Sequence, residues 1–325
     1  MILKNAKIFI FVFILSSIAC FVNAQDLAQA KEAYNNGVEQ VNQENLEEAM
    51  KSFLKCVEIC DILDDEESVE TKMAATGVIP GLQLKIAGKL VESDDYEGGI
   101  AALEKTVEYA KEYNDDATAE KANGLLSKTF FKYGTVLLKN GKMDKALTYL
   151  DKTIALEPDF ATPYMFKGVI YKQKDDAVKT KEYLLQSIEI ARKTNDRKTE
   201  NMAIGQGWKY FYKKAADELG KQNFSGCAEN AKSALEFSSD NPDIMILLVQ
   251  SYNKDAKYDD AIDEAKKALD VISSDKKAGF YYEMAFAYQA KGENDAACEN
   301  YKNAMTGQYL DNAKYQVEHI LKCAN

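Results

Sequence analysis

Residue types that carry catalytic or metal chemistry are sparse in this 325-residue sequence. The single histidine, His319, lies in the C-terminal segment 312–323, where a surface histidine is favoured over a catalytic base, and no second histidine is present for a histidine metal site. The acidic runs Asp64–Glu67 and Asp259–Asp260 are typical of a first helical turn, where carboxylates favour the helix dipole. The glycines of Gly205–Gly207 lack the lysine of a phosphate-binding loop. We therefore expect no catalytic residue, no metal site and no cofactor, and the sequence predicts that the protein is not an enzyme.

The charge composition disfavours nucleic acid as a partner. The formal net charge is -11, and Arg192 and Arg197 are the only arginines in the sequence. Nucleic acids are bound largely through lysine and arginine contacts to phosphate, so an acidic, arginine-poor chain repels them. Hydrophobic residues make up 46% of the chain and only four prolines occur, which indicates a folded, helical protein rather than a disordered one.

The N-terminal segment 1–24 has the pattern of a secretory signal peptide. Two lysines precede the unbroken apolar run Ile8–Leu15, and Val22–Ala24 forms an A-x-A-like cleavage site. The apolar run is too short to predict a membrane-spanning helix. We therefore expect cleavage near Ala24 and a mature protein that is secreted or periplasmic.

A lipid anchor at Cys20 is the alternative to a soluble secreted form. Bacterial lipoproteins usually carry leucine where Ser17 stands, so this anchor is disfavoured. The remaining chain, 25–325, has no further apolar segment that is long enough to cross a bilayer. We expect no transmembrane segment in the mature protein.

The stretch Ser127–Pro158 predicts two helices around the polar turn Lys139–Lys142. Apolar residues recur at spacings of three and four on both sides of this turn, which is typical of amphipathic helices. Gly134 and Ala146 are small where the two helices must cross closely, and a larger residue there would cost roughly 1–3 kcal/mol. Comparable pairs recur along the chain, and we place their starts near residues 30, 80, 127, 161, 208, 242 and 278.

This pattern resembles the tetratricopeptide repeat, a helix–turn–helix unit of about 34 residues. In the central unit the resemblance rests on an aromatic, small and apolar set of positions: Phe130, Tyr133, Gly134, Ala146, Leu150, Thr153 and Pro158. The resemblance implies an all-α fold for residues 25–325, namely a right-handed helical solenoid of about seven units. A further amphipathic segment, 312–323, is expected to be a capping helix that covers the last hydrophobic face.

Extra residues precede the units that start near 80, 127 and 208. They are compatible with helix, so we expect them to lengthen the adjoining helices, while Pro80 should break the helix that crosses it. The alternation of long and short units repeats as a pair, from Ser127 and Ala161 to Trp208 and Pro242. This repetition indicates duplication of a two-unit block.

Five cysteines follow the predicted leader, and an odd number leaves at least one of them unpaired within a monomer. Cys56 and Cys227 occupy small buried positions of the repeat, so we interpret them as core residues. Cys298 near the start of one helix and Cys323 at the end of the cap would meet if these helices pack antiparallel. An oxidising compartment would then allow a disulfide between them, and two separate thiols are the alternative.

The family resemblance implies that first helices of successive units line a concave groove. We expect the inward side chains to include ten mostly apolar residues: Tyr34, Val38, Leu84, Phe131, Met165, Val169, Tyr212, Ile246, Tyr282 and Phe286. Apolar groups at these positions disfavour the lysine and asparagine clamp with which some members hold a carboxylate. The favoured function is an extracytoplasmic scaffold that binds a segment of a partner protein in this groove.

Two other functions remain open at this stage. The protein would act as a subunit of an envelope or outer-membrane assembly complex if it is held permanently in a larger machine, and a lipid anchor would favour this. It would bind a small ligand or glycan on groove aromatics if the groove closes into a pocket. The identity of the partner does not follow from the sequence.

Overall fold

The computed structural model describes residues 25–273 and 276–323, and the predicted signal peptide with Cys20 lies outside them. The described residues form helices joined by short turns, with no strand among them. The all-α repeat architecture is therefore confirmed, while the right-handed superhelix stays a prediction. Within these same ranges no helix has the length and apolar character needed to cross a membrane.

The first compact unit ends at Glu157. Its helices form antiparallel pairs, with one additional short helix before the second pair. In chain order they are α1 (25–42), α2 (Leu46–Cys60), α3 (Glu66–Thr76), α4 (Ile79–Glu92), α5 (Tyr96–Glu112), α6 (Asp116–Lys139) and α7 (Met143–Leu156).

The second compact unit begins at Pro158. Four further pairs are followed by a short terminal element. The helices are α8 (Ala161–Gln173), α9 (Ala177–Lys193), α10 (Arg197–Gly220), α11 (Phe224–Leu235), α12 (Pro242–Lys254), α13 (Tyr258–Val271), α14 (Lys277–Ala290), α15 (Asn294–Asn303) and α16 (Leu310–Tyr315).

Polar side chains fix where many of these helices begin. Asp115 and Asp196 precede α6 and α10, and each carboxylate accepts a hydrogen bond from the backbone N–H three residues on, at 3.0 and 3.1 Å. Asp95, Asp176 and Asn223 cap α5, α9 and α11 in the same way. Each cap satisfies an N–H that has no partner within its helix and contributes about 1 kcal/mol to stability.

The turn inside each helix pair contains one residue in the left-handed backbone conformation. This residue recurs in all seven pairs of the described chain: Glu44, Asp94, Gly141, Asp175, Gln222, Ala256 and Gly292. A left-handed residue ends the first helix sharply and lets the second helix fold back onto it. Small residues then allow close packing, since Gly168 lies against Leu184 and the buried Ala146 lies in the α6–α7 pair.

The longest helices show where the extra residues of the sequence go. α6 and α10 each run without a break for 24 residues, so the residues before 127 and 208 lengthen these helices as the sequence predicts. The extra residues before Pro80 form the separate helix α3, and the chain breaks at Gly77 and Val78 before α4. Pro80 lies in the first turn of α4, where its missing N–H costs nothing.

Helix boundaries in the two units repeat at an offset of 81 residues. α6 begins at 116 and ends at 139, and α10 begins at 197 and ends at 220. α7 and α11 begin at 143 and 224. This constant offset agrees with duplication of a two-unit block and pairs each residue of α6 with a counterpart in α10.

The terminal element covers the end of the last helix pair. α16 and a π-helical turn at Gln316–Ile320 occupy most of the predicted cap, and Ala313 packs with the buried Tyr301 of α15. Cys298 of α15 and Cys323 are joined by a disulfide, with their Cα atoms 5.7 Å apart, within the usual span of such bonds. The bond ties this element to the last repeat.

Candidate functional site

In the first unit, the four residues predicted to line a groove lie on the first helices of their pairs. Val38 is 39% exposed. Tyr34 is half-buried and packs edge-on against Phe53, with ring centroids 5.5 Å apart. Leu84 packs against the cluster formed by α4, α5 and α6, and Phe131 is half-buried. Val38 is therefore the one member of this set that leaves more than a third of its surface to solvent.

In the second unit, Met165 is a core residue. It is 3% exposed and shares a buried cluster with Ala203, which lies in the extension of α10. Its prediction as a groove residue is therefore wrong, because the added turns of α10 cover α8 where a shorter helix would not. Val169 is half-buried, and Tyr212 packs against the same core with its ring 6.3 Å from that of Trp208.

The other predicted groove residues of this unit lie near one another on α12 and α14. Ile246 and Tyr309 line a cleft of about 390 Å³. Tyr282 packs against Tyr309 at 5.3 Å and edge-on against the buried Tyr301 at 5.4 Å. Phe286 follows Tyr282 by one helical turn and is 44% exposed. We call Ile246, Tyr282, Phe286 and Tyr309 the apolar face.

A larger cleft, of about 820 Å³, lies along α10 and beside the end of α8. Most of its lining residues are polar or charged, and none of the ten predicted groove residues is among them. We call it the lysine cleft because five lysines line it: Lys172, Lys209, Lys213, Lys214 and Lys221.

Two of these lysines are engaged by carboxylates. Lys214 Nζ lies 2.5 Å from Asp175 Oδ1, and the Tyr210 hydroxyl also donates to that oxygen at 3.1 Å. The hydrogen bond raises the pKa of Lys214 and lowers that of Asp175. Lys221 Nζ lies 2.8 Å from Glu218 Oε1. These four charges cancel in pairs, so they add little net field to the cleft.

The other three lysines have no such partner in the part of the chain that the structure describes. Lys172 is half-buried, its ammonium donates to Gln206 Oε1, and burial lowers its pKa. Lys209 Nζ lies 5.6 Å from the ring of Trp208. Lys213 is exposed and forms no ion pair or hydrogen bond there. The cleft therefore presents three cations that can bind an anion.

Sequence reasoning missed this cleft because it followed the apolar positions of the repeat. A signal was present, since Lys209 and Lys213 are four residues apart and so share one face of a helix. Lys172 is distant in sequence and joins them only because α8 packs beside α10. A search for lysines along lengthened helices would have found the first two.

Three cysteines of the described chain lie outside the disulfide. Cys56, Cys60 and Cys227 are buried and free. Burial raises the pKa of Cys56 to about 12, so its thiol stays protonated and unreactive near neutral pH. No cluster of metal-ligating residues occurs in the ranges 25–273 and 276–323.

A sequence model of the tetratricopeptide repeat family matches residues 34–61 and 127–160. The first range covers the second half of α1 and all of α2, and the second range covers the second half of α6 and all of α7. The chain carries tetratricopeptide repeats. This identification implies a protein–protein interaction scaffold. No curated protein matches the sequence.

Solved tetratricopeptide repeat structures resemble the chain only distantly. The C-terminal part of a repeat protein from Cytophaga hutchinsonii is 16% identical, with a TM-score of 0.35 over 86% of this chain and 98% of that one. A repeat protein from Parabacteroides merdae is 12% identical, with a TM-score of 0.30 over 90% and 98%. YrrB, described as having an unusual peptide-binding site, is 15% identical, with a TM-score of 0.29 over 59% and 88%. These values are too low to transfer a partner or a site.

Proposed function

We propose that this protein is an extracytoplasmic scaffold that binds a segment of a partner protein on the apolar face of its second unit. The observation that carries the proposal is Phe286, an aromatic residue of a first helix that leaves 44% of its surface to solvent. It lies one turn from Tyr282, which packs against Tyr309, and Tyr309 lines a cleft together with Ile246. Exposed apolar patches are typical of interaction sites.

The composition of the face favours a protein segment over a polar ligand. Apolar and aromatic side chains form the face, and aromatic anchors often contribute about 2 kcal/mol or more each at protein interfaces. The nearby cleft of about 390 Å³ falls within the size range of a site for a few side chains. A segment with one or two large apolar residues therefore fits this surface.

The test places a photo-crosslinking amino acid at Phe286 in the full-length chain, expressed in its native cell envelope. We expect one dominant crosslinked protein, and a Phe286→Ala variant should reduce its capture by about tenfold or more. Val178, an exposed apolar residue of the second helix α9, provides the matched crosslinking and alanine control. Equal crosslinking at Val178 and Phe286 would refute the assignment.

Thermal melting separates binding from folding in this test. Phe286→Ala should leave the melting temperature almost unchanged, because much of its ring is exposed. Tyr282→Ala should lower it, because Tyr282 packs on the buried Tyr301. A sharp loss of stability in Phe286→Ala would mark Phe286 as a core residue and overturn the proposal.

The extracytoplasmic part of the proposal rests on the signal-peptide pattern of residues 1–24. N-terminal sequencing of the protein purified from its native cells should find Gln25 as the first residue. Recovery of the uncleaved chain, or of a chain that begins at a lipidated Cys20, would contradict this part.

A further inference from the structure

We propose that the solvent-facing side of α3 is an interaction surface that takes a basic amphipathic helix of a partner protein. α3 is the additional helix that precedes the second helix pair, so it lies outside the repeated pairs. The proposal goes beyond the apolar face, which belongs to the second unit, and does not depend on it.

The large apolar side chains of α3 point away from the core. Val69 is 53% exposed and Met73 is 68% exposed, and their spacing of four residues places them on one face of the helix. The packed side of α3 carries small or polar residues, of which Ser68 and Ala75 are buried. An ordinary surface helix has the opposite arrangement, with its apolar side turned inward. The inverted arrangement indicates that α3 covers its apolar side with another molecule.

The turn before α3 adds a third apolar side chain. Ile62 is 81% exposed, and its neighbour Asp61 forms an ion pair with Lys72, the residue before Met73. This pair holds the turn beside α3, so Ile62 extends the exposed apolar area. Exposed apolar patches of this kind are typical of interaction sites.

The charges beside these apolar side chains determine which partner fits. Glu66 and Glu70 are exposed on the same side of α3 as Val69, and no lysine or arginine pairs with either carboxylate in the described chain. The neighbouring Glu67 is already engaged by Lys31 of α1. Two unpaired carboxylates next to apolar groups attract lysine or arginine and repel anions. We call Ile62, Val69, Met73, Glu66 and Glu70 the α3 surface.

The same charges disfavour two other occupants. A membrane with anionic headgroups would be repelled by the carboxylates, and a symmetric second copy would place Glu66 and Glu70 against their own equivalents. The net charge of -11 opposes both. A basic amphipathic helix presents apolar residues at spacings of three and four together with cations, so it complements Val69 and Met73 as well as the carboxylates.

The experiment measures fluorescence anisotropy of a labelled peptide with the purified mature chain. The probe is a peptide of about 14 residues, roughly four helical turns, with leucine and lysine at helical spacing. A control peptide carries glutamate in place of each lysine. We expect the lysine peptide to bind at least about tenfold more tightly than the glutamate peptide. Equal binding of the two peptides would overturn the choice of a basic partner.

Matched variants assign the binding to the α3 surface. The double substitution V69S/M73S should weaken binding of the lysine peptide by about tenfold, because it removes two apolar contacts. The control V178S/V271S removes two exposed apolar side chains from α9 and α13 and should leave the affinity at the parent value. All four side chains are exposed, so the melting temperature should change little in either double. Equal losses in both doubles, or no loss in the first, would refute the proposal.

A second pair of variants tests the carboxylates. E66Q/E70Q should weaken binding by about three- to tenfold and reduce its dependence on sodium chloride between about 50 and about 300 mM. E120Q/E229Q removes the same charge from exposed positions of α6 and α11 and should have a much smaller effect. If the two doubles lose affinity equally, overall charge governs binding and the α3 surface is not the site.

Three further measurements test the other occupants. Sedimentation velocity should give the same mass for the parent chain and V69S/M73S, and a dimer that this double dissociates would make a second copy the occupant. Phosphatidylglycerol vesicles should not bind the chain through this surface, and binding that V69S/M73S abolishes would make a membrane the occupant. Phe286→Ala should bind the lysine peptide at the parent affinity, so failure of this surface is distinguishable from failure of the apolar face. A loss in Phe286→Ala equal to that in V69S/M73S would contradict the assignment to α3.

Discussion

Helices α6 and α10 have the same length, the same type of cap and the same place in a duplicated block, yet they build different surfaces. In the first unit, Lys132 of α6 pairs with Asp94 at 2.9 Å. The counterpart of Lys132, 81 residues later, is Lys213. It has no such partner because the adjacent Lys214 takes Asp175, the counterpart of Asp94. The lysine that pairs with the turn aspartate is thus shifted by one residue in the second unit. This shift leaves Lys213 without an ion-pair partner in the described chain.

The residues beneath these two surfaces also differ. Val91 and Leu125 of the first unit pack against an apolar cluster. Their counterparts in the second unit are Lys172 and Gln206, which bond to each other and line the lysine cleft. Two changes from apolar to polar side chains thus turn a packed contact into a charged cleft. The two copies therefore share their helix boundaries and differ in the side chains at these positions.

The buried side of the same helices shows a compensating exchange. Leu126 of α6 is 6% exposed, whereas its counterpart is Gly207. Phe237 fills the space above Gly207, so that a Cβ there would lie 2.4 Å from the ring. The counterpart of Phe237 is Leu156, which is 39% exposed. In the first unit Leu126 of the long helix α6 therefore fills the core. In the second unit Phe237, just after α11, fills it.

The largest predicted effect tests this exchange. Phe237→Ala should lower the free energy of unfolding by about 3–5 kcal/mol, because it removes a buried aromatic ring over a glycine. Leu156→Ala should cost below about 1 kcal/mol, because much of Leu156 already contacts solvent. Urea denaturation followed by circular dichroism measures both, and fluorescence of Trp208, the single tryptophan, reports the second unit.

Gly207→Ala provides the second arm of that measurement. The added methyl group must displace the Phe237 ring, at a cost of about 1–3 kcal/mol. If Leu156→Ala lowers the free energy of unfolding as much as Phe237→Ala does, the two side chains contribute equally to their cores and the exchange described here is wrong.

The difference between the two units shows what sequence pattern can predict. The helix pairs and the lengthened helices could be predicted from the sequence, because apolar residues recur at helical spacing within each helix. The burial of Met165 could not be predicted from the sequence, because it depends on how far α10 extends beside α8. The lysine cleft did not follow for the same reason: Lys172 and Lys213 meet through packing between helices. Exposure of Phe286 likewise depends on what its neighbours leave open.

A smaller effect is expected from replacing the two turn aspartates, Asp175 and Asp94. Asp175→Asn weakens the hydrogen bond that raises the pKa of Lys214, so this pKa should fall towards its ordinary value. Asp94→Asn should lower the pKa of Lys132 for the same reason and leave that of Lys214 unchanged. Both side chains are exposed, so either change should alter stability by about 1 kcal/mol or less.

NMR titration of the lysine ammonium groups measures both pKa values in the parent chain and in the two asparagine variants. Asparagine adopts the left-handed conformation readily, so the turns themselves should be preserved. An equal fall of the Lys214 pKa in both variants would show that overall charge, and not the contact with Asp175, governs this pKa.

The smallest predicted effect concerns a pair of counterparts that remain alike. Gly124 and Gly205 lie within α6 and α10, and a Cβ at either would meet no atom within 4 Å. Alanine at each should therefore stabilise the protein by about 0.5–1 kcal/mol, through reduced freedom of the unfolded chain and better helix propensity. Urea midpoints that rise for Gly124→Ala and fall for Gly205→Ala would show that the two helices differ at this position too, and that the divergence of the second unit extends beyond the charged residues.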